Sequence, residues 1–252
     1  MAKERYFELF GTEGYLNRFY SLGDGLELQD GATKKRAVLV DDLADNRIVI
    51  KGKGLDYADG EMVAGKITSV TFMDADGGKL ISIAKLKANA SGFNDAADNG
   101  AYALHEYLLR GKDTITGSDV GDWINGYGGK NRIHGEDGAD WIFGGRRADR
   151  LFGDKGDDSI YGNGGNDRLT GGKGADLFYF SETASNKVVI TDFDAVGDRQ
   201  DHLSIHGDDT FRVKKAGSDI LLKFDDGDTI LLLDVRLKDF DPADDVELRF
   251  PM

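Results

Sequence analysis

Eight acidic or amide residues recur every nine positions in the middle of this 252-residue chain, and their side chains could bind metal ions. They are Asp113, Asp122, Asn131, Asp140, Asp149, Asp158, Asp167 and Asp176. Carboxylate and carbonyl oxygens are hard ligands that suit Ca²⁺ better than Zn²⁺, copper or Mg²⁺. The composition agrees, because 37 of the 46 acidic residues are Asp, a residue of turns and hard-cation sites, rather than Glu. The spacing therefore indicates a series of calcium sites.

The nine-residue period also predicts the elements that position these side chains. In each block from Gly117 onwards, six glycine-rich positions precede three positions centred on an apolar residue. Glycine permits the positive φ of a tight turn, which leaves carbonyls pointing inward, and the last three residues suit a short strand. Two blocks close one coil, so eight blocks predict a parallel β-roll of about four coils over residues 110–180. A disordered linker would show this composition without the constant phase.

Blocks on the same side of such a roll are 18 residues apart, which sorts the eight residues into two stacks. We call the first the aspartate edge, formed by Asp122, Asp140, Asp158 and Asp176. We call the second the mixed edge, formed by Asp113, Asn131, Asp149 and Asp167. Carboxylates stacked at the strand spacing of ~4.8 Å repel one another and cannot be buried unpaired. We therefore expect the roll to be expanded without Ca²⁺ and folded with it.

The blocks resemble the G-G-x-G-x-D-x-apolar-x repeat of the RTX, or hemolysin-type, calcium-binding family. The resemblance implies several Ca²⁺ ions, each held between two turns by backbone carbonyls and by the sixth residue of each block. For one site it implies ligands from Glu136, Gly138, Asp140, Gly153, Lys155 and Asp158. For the next site it implies ligands from Asp154, Gly156, Asp158, Gly171, Lys173 and Asp176. It also implies type I export of the unfolded chain and folding outside the cell.

The two edges differ in their predicted sites. The aspartate edge keeps every carboxylate, and its only irregularity is Val120 at a glycine position. The mixed edge has a neutral Asn131, and Arg146 and Arg147 lie nearby. Arg147 also stands at a glycine position, where a long side chain at positive φ costs around 1 kcal/mol or more.

We therefore predict about three good sites on the aspartate edge. On the mixed edge we predict weaker or empty sites, except between Asp149 and Asp167.

Residues 181–252 read as short alternating strands separated by turns, which predicts an antiparallel β cap over the open end of the roll. Asp192, Asp194, Asp198 and Asp201 either hold a further ion or are turn residues. The end of this segment, from LLLDV to the last residue, resembles the uncleaved C-terminal export signal of RTX proteins.

Residues 1–109 are predicted to form a β-rich segment with a short helix. The strands expected here are RYFELF, AVLV, RIVIKG, KITSVTFMD and KLISIAKL, the last two joined as a hairpin around DADGG. Asp74 and Asp76 begin like an EF-hand loop, but no Glu occupies the twelfth position, so a turn is expected. Residues 95–109 are predicted to be a helix that caps the roll with one apolar face. That face consists of Ala103, Leu104, Tyr107 and Leu108. The whole chain is thus expected to be all-β, with a parallel roll between two β-rich flanks.

Several classes of function are disfavoured. A net charge of −14 opposes binding to duplex nucleic acid and to anionic membranes. No apolar run reaches the length of a spanning helix, and the first residues lack the apolar core of a cleaved signal peptide. The chain has no Cys, which excludes disulfides and zinc–thiolate sites.

No catalytic motif emerges. His105 and Glu106 lack the second His of a zinc-protease helix, and the other three histidines show no metal spacing. Nor is there a G-x-S-x-G elbow or a phosphate loop. Aromatic residues near the start could stack on sugars or form core: Tyr6, Phe7, Phe10, Tyr15, Phe19 and Tyr20.

Two functional hypotheses follow. The first is a secreted calcium-dependent β-roll protein that acts by binding, or as structure, at a cell surface or matrix, with polysaccharide and the type I export machinery as partners. The alternative is a polysaccharide-acting enzyme whose active site lies in residues 1–109. A pore-forming toxin is disfavoured because no long apolar segment is available for insertion.

Overall fold

The structure is a computed structural model of the chain. It describes residues 26–41, 47–58, 61–74, 76–97, 101–181, 187–197, 199–206 and 210–249. The expected strand RYFELF, the six aromatic residues near the start and Asp198 lie outside the described residues.

Two β-sheets organise the described part of the chain. The larger sheet has 13 strands in the order β1-β2-β3-β4-β5-β6-β8-β10-β12-β14-β18-β17-β16. The smaller sheet has six strands in the order β19-β15-β13-β11-β9-β7. Consecutive strands of the repeat segment alternate between the two sheets, as a roll with one strand per half-coil requires.

The repeats form four coils, as their number predicts. In the larger sheet these are β6 (Thr114–Thr116), β8 (Arg132–Asp137), β10 (Arg150–Lys155) and β12 (Arg168–Lys173). In the smaller sheet they are β7 (Trp123–Asn125), β9 (Trp141–Gly145), β11 (Ser159–Asn163) and β13 (Leu177–Ser181). All neighbouring pairs within each set run parallel, in a register of 18 residues.

An apolar ladder fills the interior between the sheets. It consists of the eighth residues of the blocks, each at most 1 % exposed: Ile115, Ile124, Ile133, Ile142, Leu151, Ile160, Leu169 and Phe178. Burying one such side chain stabilises the fold by about 1.5–3 kcal/mol. The interior between the repeat strands is thus apolar, and the buried carboxylates of the repeats lie at the two edges.

The N-terminal segment extends the larger sheet. Its strands are β1 (Leu26–Leu28), β2 (Arg36–Asp41), β3 (Arg47–Ala58), β4 (Glu61–Met73) and β5 (Lys79–Asn89). They pair antiparallel in chain order, and β5 pairs antiparallel with β6 of the roll. The predicted hairpin between β4 and β5 is present. Its turn is closed by Asp74, whose carboxylate accepts the Gly78 N–H at 2.6 Å, so Asp74 is a turn residue.

Two helices replace the single helix expected over residues 95–109. They are α1 (Ala90–Ala97) and α2 (Ala101–Leu108). The helical segment begins five residues earlier than predicted because the Asn89 side chain caps α1 by accepting the Gly92 N–H at 2.8 Å. Leu104 and Leu108 are buried, as the predicted apolar face requires. No helix in the described part of the chain could cross a lipid bilayer.

The C-terminal segment differs from expectation in the direction of four strands. β14 (Lys187–Ile190) and β18 (Thr229–Leu232) continue the larger sheet in parallel, and β15 (His202–His206) and β19 (Val246–Arg249) continue the smaller one. Only β16 (Phe211–Ala216) and β17 (Asp219–Phe224) make the expected antiparallel cap, against β18. The parallel roll therefore extends beyond the repeats before the cap closes it.

Candidate calcium sites at the edges of the roll

Along the aspartate edge, each aspartate is hydrogen-bonded to its equivalent in the next coil. The N–H of Asp122 donates to Oδ1 of Asp140 at 2.7 Å, and the N–H of Asp140 donates to Oδ1 of Asp158 at 2.8 Å. The N–H of Asp158 donates in turn to Oδ1 of Asp176 at 3.0 Å. All four side chains are buried. One oxygen of each carboxylate after the first is thereby used to hold successive coils together.

The second carboxylate oxygen is buried without a hydrogen-bond partner at most rungs of both edges. The atoms are Oδ2 of Asp140, Asp158, Asp176, Asp149 and Asp167, and Oδ1 of Asp113. A buried polar atom left unsatisfied costs about 1–3 kcal/mol, and more when it carries charge. Five of these atoms, the Oδ2 atoms, are at equivalent positions of the repeat, whereas Oδ2 of Asp113 accepts the Gly111 N–H at 3.2 Å and only its Oδ1 is unpaired. The five equivalent atoms indicate a recurring ligand position, because chance packing would not leave the same atom unpaired in coil after coil.

Glycines keep the space beside these oxygens open. A methyl group added at Gly135 would overlap Asp140 Oδ2 and lie 2.7 Å from the carbonyl oxygen of Gly153. A methyl group at Gly153 would likewise overlap Asp158 Oδ2 and lie 2.6 Å from the carbonyl oxygen of Gly171. A carboxylate oxygen and a carbonyl oxygen from the next coil thus converge on each glycine. This all-oxygen donor set suits Ca²⁺.

The two predicted ligand sets lie on adjacent coils. In the parallel register Glu136 faces Asp154, and Asp154 faces Gly172. Of the predicted carbonyl ligands, that of Lys155 accepts the Gly138 N–H at 2.8 Å, which leaves its second lone pair for an ion. The carbonyl of Lys173 accepts the Gly156 N–H in the same way, also at 2.8 Å.

The turn conformation is shared by residues that are not all glycine. Position two of the block has positive φ at Tyr127, Glu136, Asp154 and Asn163, and position four has positive φ where it is glycine. Arg147 and Val120 occupy position four, and neither has positive φ. The expectation that Arg147 is strained at positive φ is therefore wrong, because the backbone of its turn leaves the left-handed region instead.

Asp122 departs from the pattern of its edge. Its Oδ2 accepts hydrogen bonds from the backbone N–H of Ser118 at 2.6 Å and from the Ser118 hydroxyl at 2.9 Å. Asp122 is thus satisfied by its own turn and offers no unpartnered oxygen, unlike the later rungs. The unpartnered oxygens of Asp140, Asp158 and Asp176 give this edge three candidate cradles.

Asn131 departs in a different way on the mixed edge. Its Oδ1 accepts the Asp113 N–H at 3.0 Å, so it keeps the inter-coil hydrogen bond that an aspartate makes. Its Nδ2 donates to the carbonyl oxygens of Gly126 at 2.8 Å and of Gly128 at 3.1 Å. These carbonyls occupy the same block positions as those of Gly153 and Lys155 in the first predicted ligand set. The side-chain amide of Asn131 therefore satisfies carbonyls whose equivalents are predicted ion ligands at another rung.

Burial raises the pKa values of stacked aspartates on both edges. Burial, together with the repulsion of the adjacent carboxylates of Asp158 and Asp122, raises the pKa of Asp140 to about 8. Burial also raises the pKa of Asp158 and of Asp167 to about 7, and those of Asp113, Asp149 and Asp176 to about 6. Each carboxylate is thus costly to ionise in the absence of a positive charge nearby.

The stack of the aspartate edge continues beyond Asp176 with Asp201, which the nine-residue period does not predict. Oδ1 of Asp201 accepts the Asp176 N–H at 2.9 Å, and its Oδ2 accepts the Asp194 N–H at 2.9 Å. Asp192 accepts the N–H groups of Gly171 and Gly172 at 3.0 and 2.9 Å. Turn residues make contacts of this kind, and the further ion predicted for this cluster stays a prediction.

The cradles depend on the backbone more than on clustered side chains. Among the described residues, no group of three or more His, Asp or Glu side chains is arranged to hold a metal ion. One carboxylate per coil with carbonyls around it is a different kind of site. His134 takes no part, because its Nδ1 contacts Asp154 Oδ2 at 2.8 Å on the outside of the roll.

Comparisons with known proteins agree with this geometry. Residues 116–146 and 143–178 match the family model described as RTX calcium-binding nonapeptide repeat (4 copies). No curated protein sequence matches the chain.

Two solved structures are similar to part of the chain. The extracellular lipase LipA from Serratia marcescens is 16% identical, with a TM-score of 0.32, over 56% of this chain and 39% of the lipase. The AlgE6R2 subunit of the Azotobacter vinelandii mannuronan C5-epimerase is 24% identical, with a TM-score of 0.31, over 54% of this chain and 93% of that subunit. The chain thus spans well under half of the lipase. Together with the match to the family model, the coil geometry identifies residues 116–178 as RTX calcium-binding nonapeptide repeats.

Proposed function

We propose that this protein is exported and then folded by extracellular Ca²⁺, and that it acts as a binding or structural module at a cell surface or matrix. The observation that carries the proposal is the set of five buried, unpartnered Oδ2 atoms at equivalent rungs of the roll, those of Asp140, Asp149, Asp158, Asp167 and Asp176. A divalent cation in each cradle would neutralise the carboxylate and give those oxygens their missing partner.

The ligands we assign on the aspartate edge are the carboxylates of Asp140, Asp158 and Asp176 with the turn carbonyls beside them. On the mixed edge we assign Asp149 and Asp167. Asp122 takes part through the backbone of its coil rather than through a free oxygen, and the Asn131 rung holds no ion. The protein groups around each cradle are all oxygen donors. Bound Ca²⁺ would supply the positive charge that neutralises their carboxylates.

Coupling of binding to folding follows from where the ligands lie. Asp140 and Asp158 belong to different coils, and their backbones meet only when the coils have stacked. An unfolded chain therefore has no preformed site, so the free energy of ion binding becomes free energy of folding. A chain that remains expanded at low calcium and folds at high calcium suits export in the unfolded state.

Circular dichroism and small-angle scattering of the full chain during a calcium titration test this proposal. We expect an expanded chain in chelator and a compact, β-rich chain in millimolar Ca²⁺, with Mg²⁺ much less effective because its smaller, stricter coordination shell does not suit carbonyl-rich cradles. An equally compact roll in chelator and in calcium would refute the coupling.

The location is tested separately from the folding. Expression with a type I export system should place the protein in the medium, and removal of the last residues, from 231 onwards, should retain it inside the cell. The enzyme alternative in residues 1–109 stays a prediction, and the binding role is preferred because the chemistry assigned above lies in the repeats.

A further inference from the structure

The mixed edge carries a groove whose lining is opposite in charge to the protein as a whole. The groove has a volume of about 480 Å³. Six basic side chains line it: Lys85, Lys112, Lys130, Arg132, Arg150 and Arg168. The whole chain carries a net charge of −14, so this concentration of cations runs against its composition. We call this feature the basic groove.

Three of these cations form a ladder across consecutive strands. Arg150 on β10 is in direct register with Arg132 on β8 and with Arg168 on β12. All three side chains are exposed, and the strands lie ~4.8 Å apart. Like charges placed directly opposite one another destabilise a sheet. The roll therefore holds a repulsive arrangement that an anion would relieve.

The ladder is not a requirement of the repeat. The same position of the block in the smaller sheet carries Trp123, Trp141, Ser159 and Leu177. The fold thus accepts neutral and aromatic residues at this position, and the arginines are confined to one side of the roll.

The protein itself does not neutralise the ladder. Within the described part of the chain, Arg150 and Arg168 form no ion pair, whereas Lys155, at the far end of β10, pairs with Asp137 at 2.7 Å. Among the residues that the structure describes, the carboxylates that line the groove are those of Asp113 and Asp149, and each residue is 2 % exposed. These two side chains belong to the buried stack of the mixed edge, so the groove presents mainly cations to the solvent.

Arg132 is held in place by neighbours that leave its charge intact. Its Nε donates to Nε2 of His134 at 3.0 Å, and its guanidinium carbon lies 4.3 Å from the centre of the Phe152 ring. A guanidinium stacked on a ring keeps its outer N–H groups available for a carboxylate. This end of the ladder is therefore preorganised.

We propose that the basic groove binds a short stretch of a carboxylated polysaccharide, a linear chain of sugar acids. The planar guanidinium group matches a carboxylate through two parallel hydrogen bonds, and a row of three matches acidic groups in sequence. Thr114 and Asn166 also line the groove and supply polar groups for sugar hydroxyls. The groove volume lies in the range of sites for small ligands. Duplex nucleic acid is a poorer fit, because a protein with a net charge of −14 repels a long phosphate chain.

This inference rests on the proposed function, because the groove exists only when calcium has folded the roll. The test is isothermal titration calorimetry of the full chain in saturating Ca²⁺, after circular dichroism has shown that each sample is folded. The probe is an oligoglucuronate octasaccharide, which carries a carboxylate on every sugar. The variant is Arg150→Gln with Arg168→Gln. The control is Lys214→Gln with Lys223→Gln, which removes the same charge from exposed positions of the β16–β17 hairpin.

We expect the wild type and the control to bind the octasaccharide, and the double arginine variant to bind at least about tenfold more weakly. A neutral dextran oligomer should not bind. Equal loss in the control, no binding by a calcium-folded wild type, or tighter binding of a short DNA duplex than of the octasaccharide would each overturn the inference. If calcium does not fold the wild type at all, the proposed function fails first, and the two failures are thus distinguishable.

Discussion

Asn131 donates a hydrogen bond from its side-chain amide to the carbonyl oxygen of Gly126 at 2.8 Å, across the mouth of its own turn. At the equivalent place on the aspartate edge, Asp158 presents a buried oxygen without a partner beside Gly153. One atom type distinguishes the two rungs. The N–H groups of the Asn131 side chain donate to the turn carbonyls. The carboxylate of Asp158 is instead a further acceptor beside turn carbonyls, so a cation is needed to balance the oxygens at that rung.

Replacing Asn131 by Asp should create an additional calcium site. The new carboxylate would face the carbonyls of Gly126 and Gly128 without a donor between them, so the fold should lose about 1–3 kcal/mol of stability when this rung holds no ion. Calorimetry in saturating Ca²⁺ should show one more ion bound per chain, and circular dichroism during a calcium titration should show folding that depends more steeply on the calcium concentration. Asn166→Asp is the matched control, because Asn166 is exposed on the same edge. An unchanged number of bound ions would contradict this explanation of Asn131.

The converse substitution, Asp158→Asn, should make the roll less dependent on calcium. An amide at this rung can keep the inter-coil acceptor for Asp140 and donate to the turn carbonyls, as Asn131 does. We expect fewer bound ions together with greater stability in chelator, measured by calcium titration and by thermal unfolding. A variant that loses an ion without gaining stability in chelator would show that the amide does not substitute for the ion.

Truncation to alanine should separate the two edges. Asp158→Ala removes a charged ligand and should cost more calcium affinity than Asn131→Ala, which removes a neutral group. Because both substitutions also remove an inter-coil hydrogen bond, they match one another as controls. Equal losses of affinity in a calcium titration would refute the asymmetry between the edges.

The coils and their spacing are predictable from sequence because the repeat never loses phase between Gly117 and Asp176. Every apolar eighth residue is then forced inward, and every sixth residue falls on an edge. The position of Asp201 in the aspartate edge could not be predicted from the period, because Asp201 follows Asp176 by 25 residues instead of 18. The backbone nevertheless returns to the same stack, as the Asp176 N–H bond to Asp201 shows.

Two other features depend on information that short patterns lack. In strands of four or five residues such as β14 and β15, buried and exposed side chains alternate in the same way whether the strands pair parallel or antiparallel. Their direction therefore depends on the strand of the roll with which they pair. The pairing of Ser118 with Asp122 depends on a side chain at a turn position that the repeat leaves variable. Local hydrogen bonds of this kind are visible only once the turn geometry is known.

The stability of the chelated roll should fall as pH rises. Burial raises the pKa of Asp140 to about 8 and that of Asp158 to about 7, so the folded state keeps protons that the unfolded chain releases. Protonation of these raised-pKa groups therefore stabilises the fold fully below about pH 4, and this contribution is lost as the pH approaches about 8. Circular dichroism and small-angle scattering in chelator at pH 5 and pH 8 measure the effect: the folded fraction should be larger at pH 5, and Asp158→Asn should reduce the difference. A folded fraction in chelator that increases from pH 5 to pH 8 would show that these carboxylates do not control the fold.

Gly153→Ala should block one cradle by steric overlap. The added methyl group would overlap Asp158 Oδ2 and lie 2.6 Å from the Gly171 carbonyl, so the cradle must widen before an ion can bind. We expect calcium-folded protein to lose about 1–3 kcal/mol of stability and to bind one ion fewer, measured by unfolding in millimolar Ca²⁺ and by calorimetry. Gly128→Ala is the control, because its methyl group would have the carbonyl oxygen of Arg110 as its nearest neighbour, at 3.8 Å. If both variants kept the full number of ions, the glycine-lined space beside Asp158 would not be the place where calcium binds.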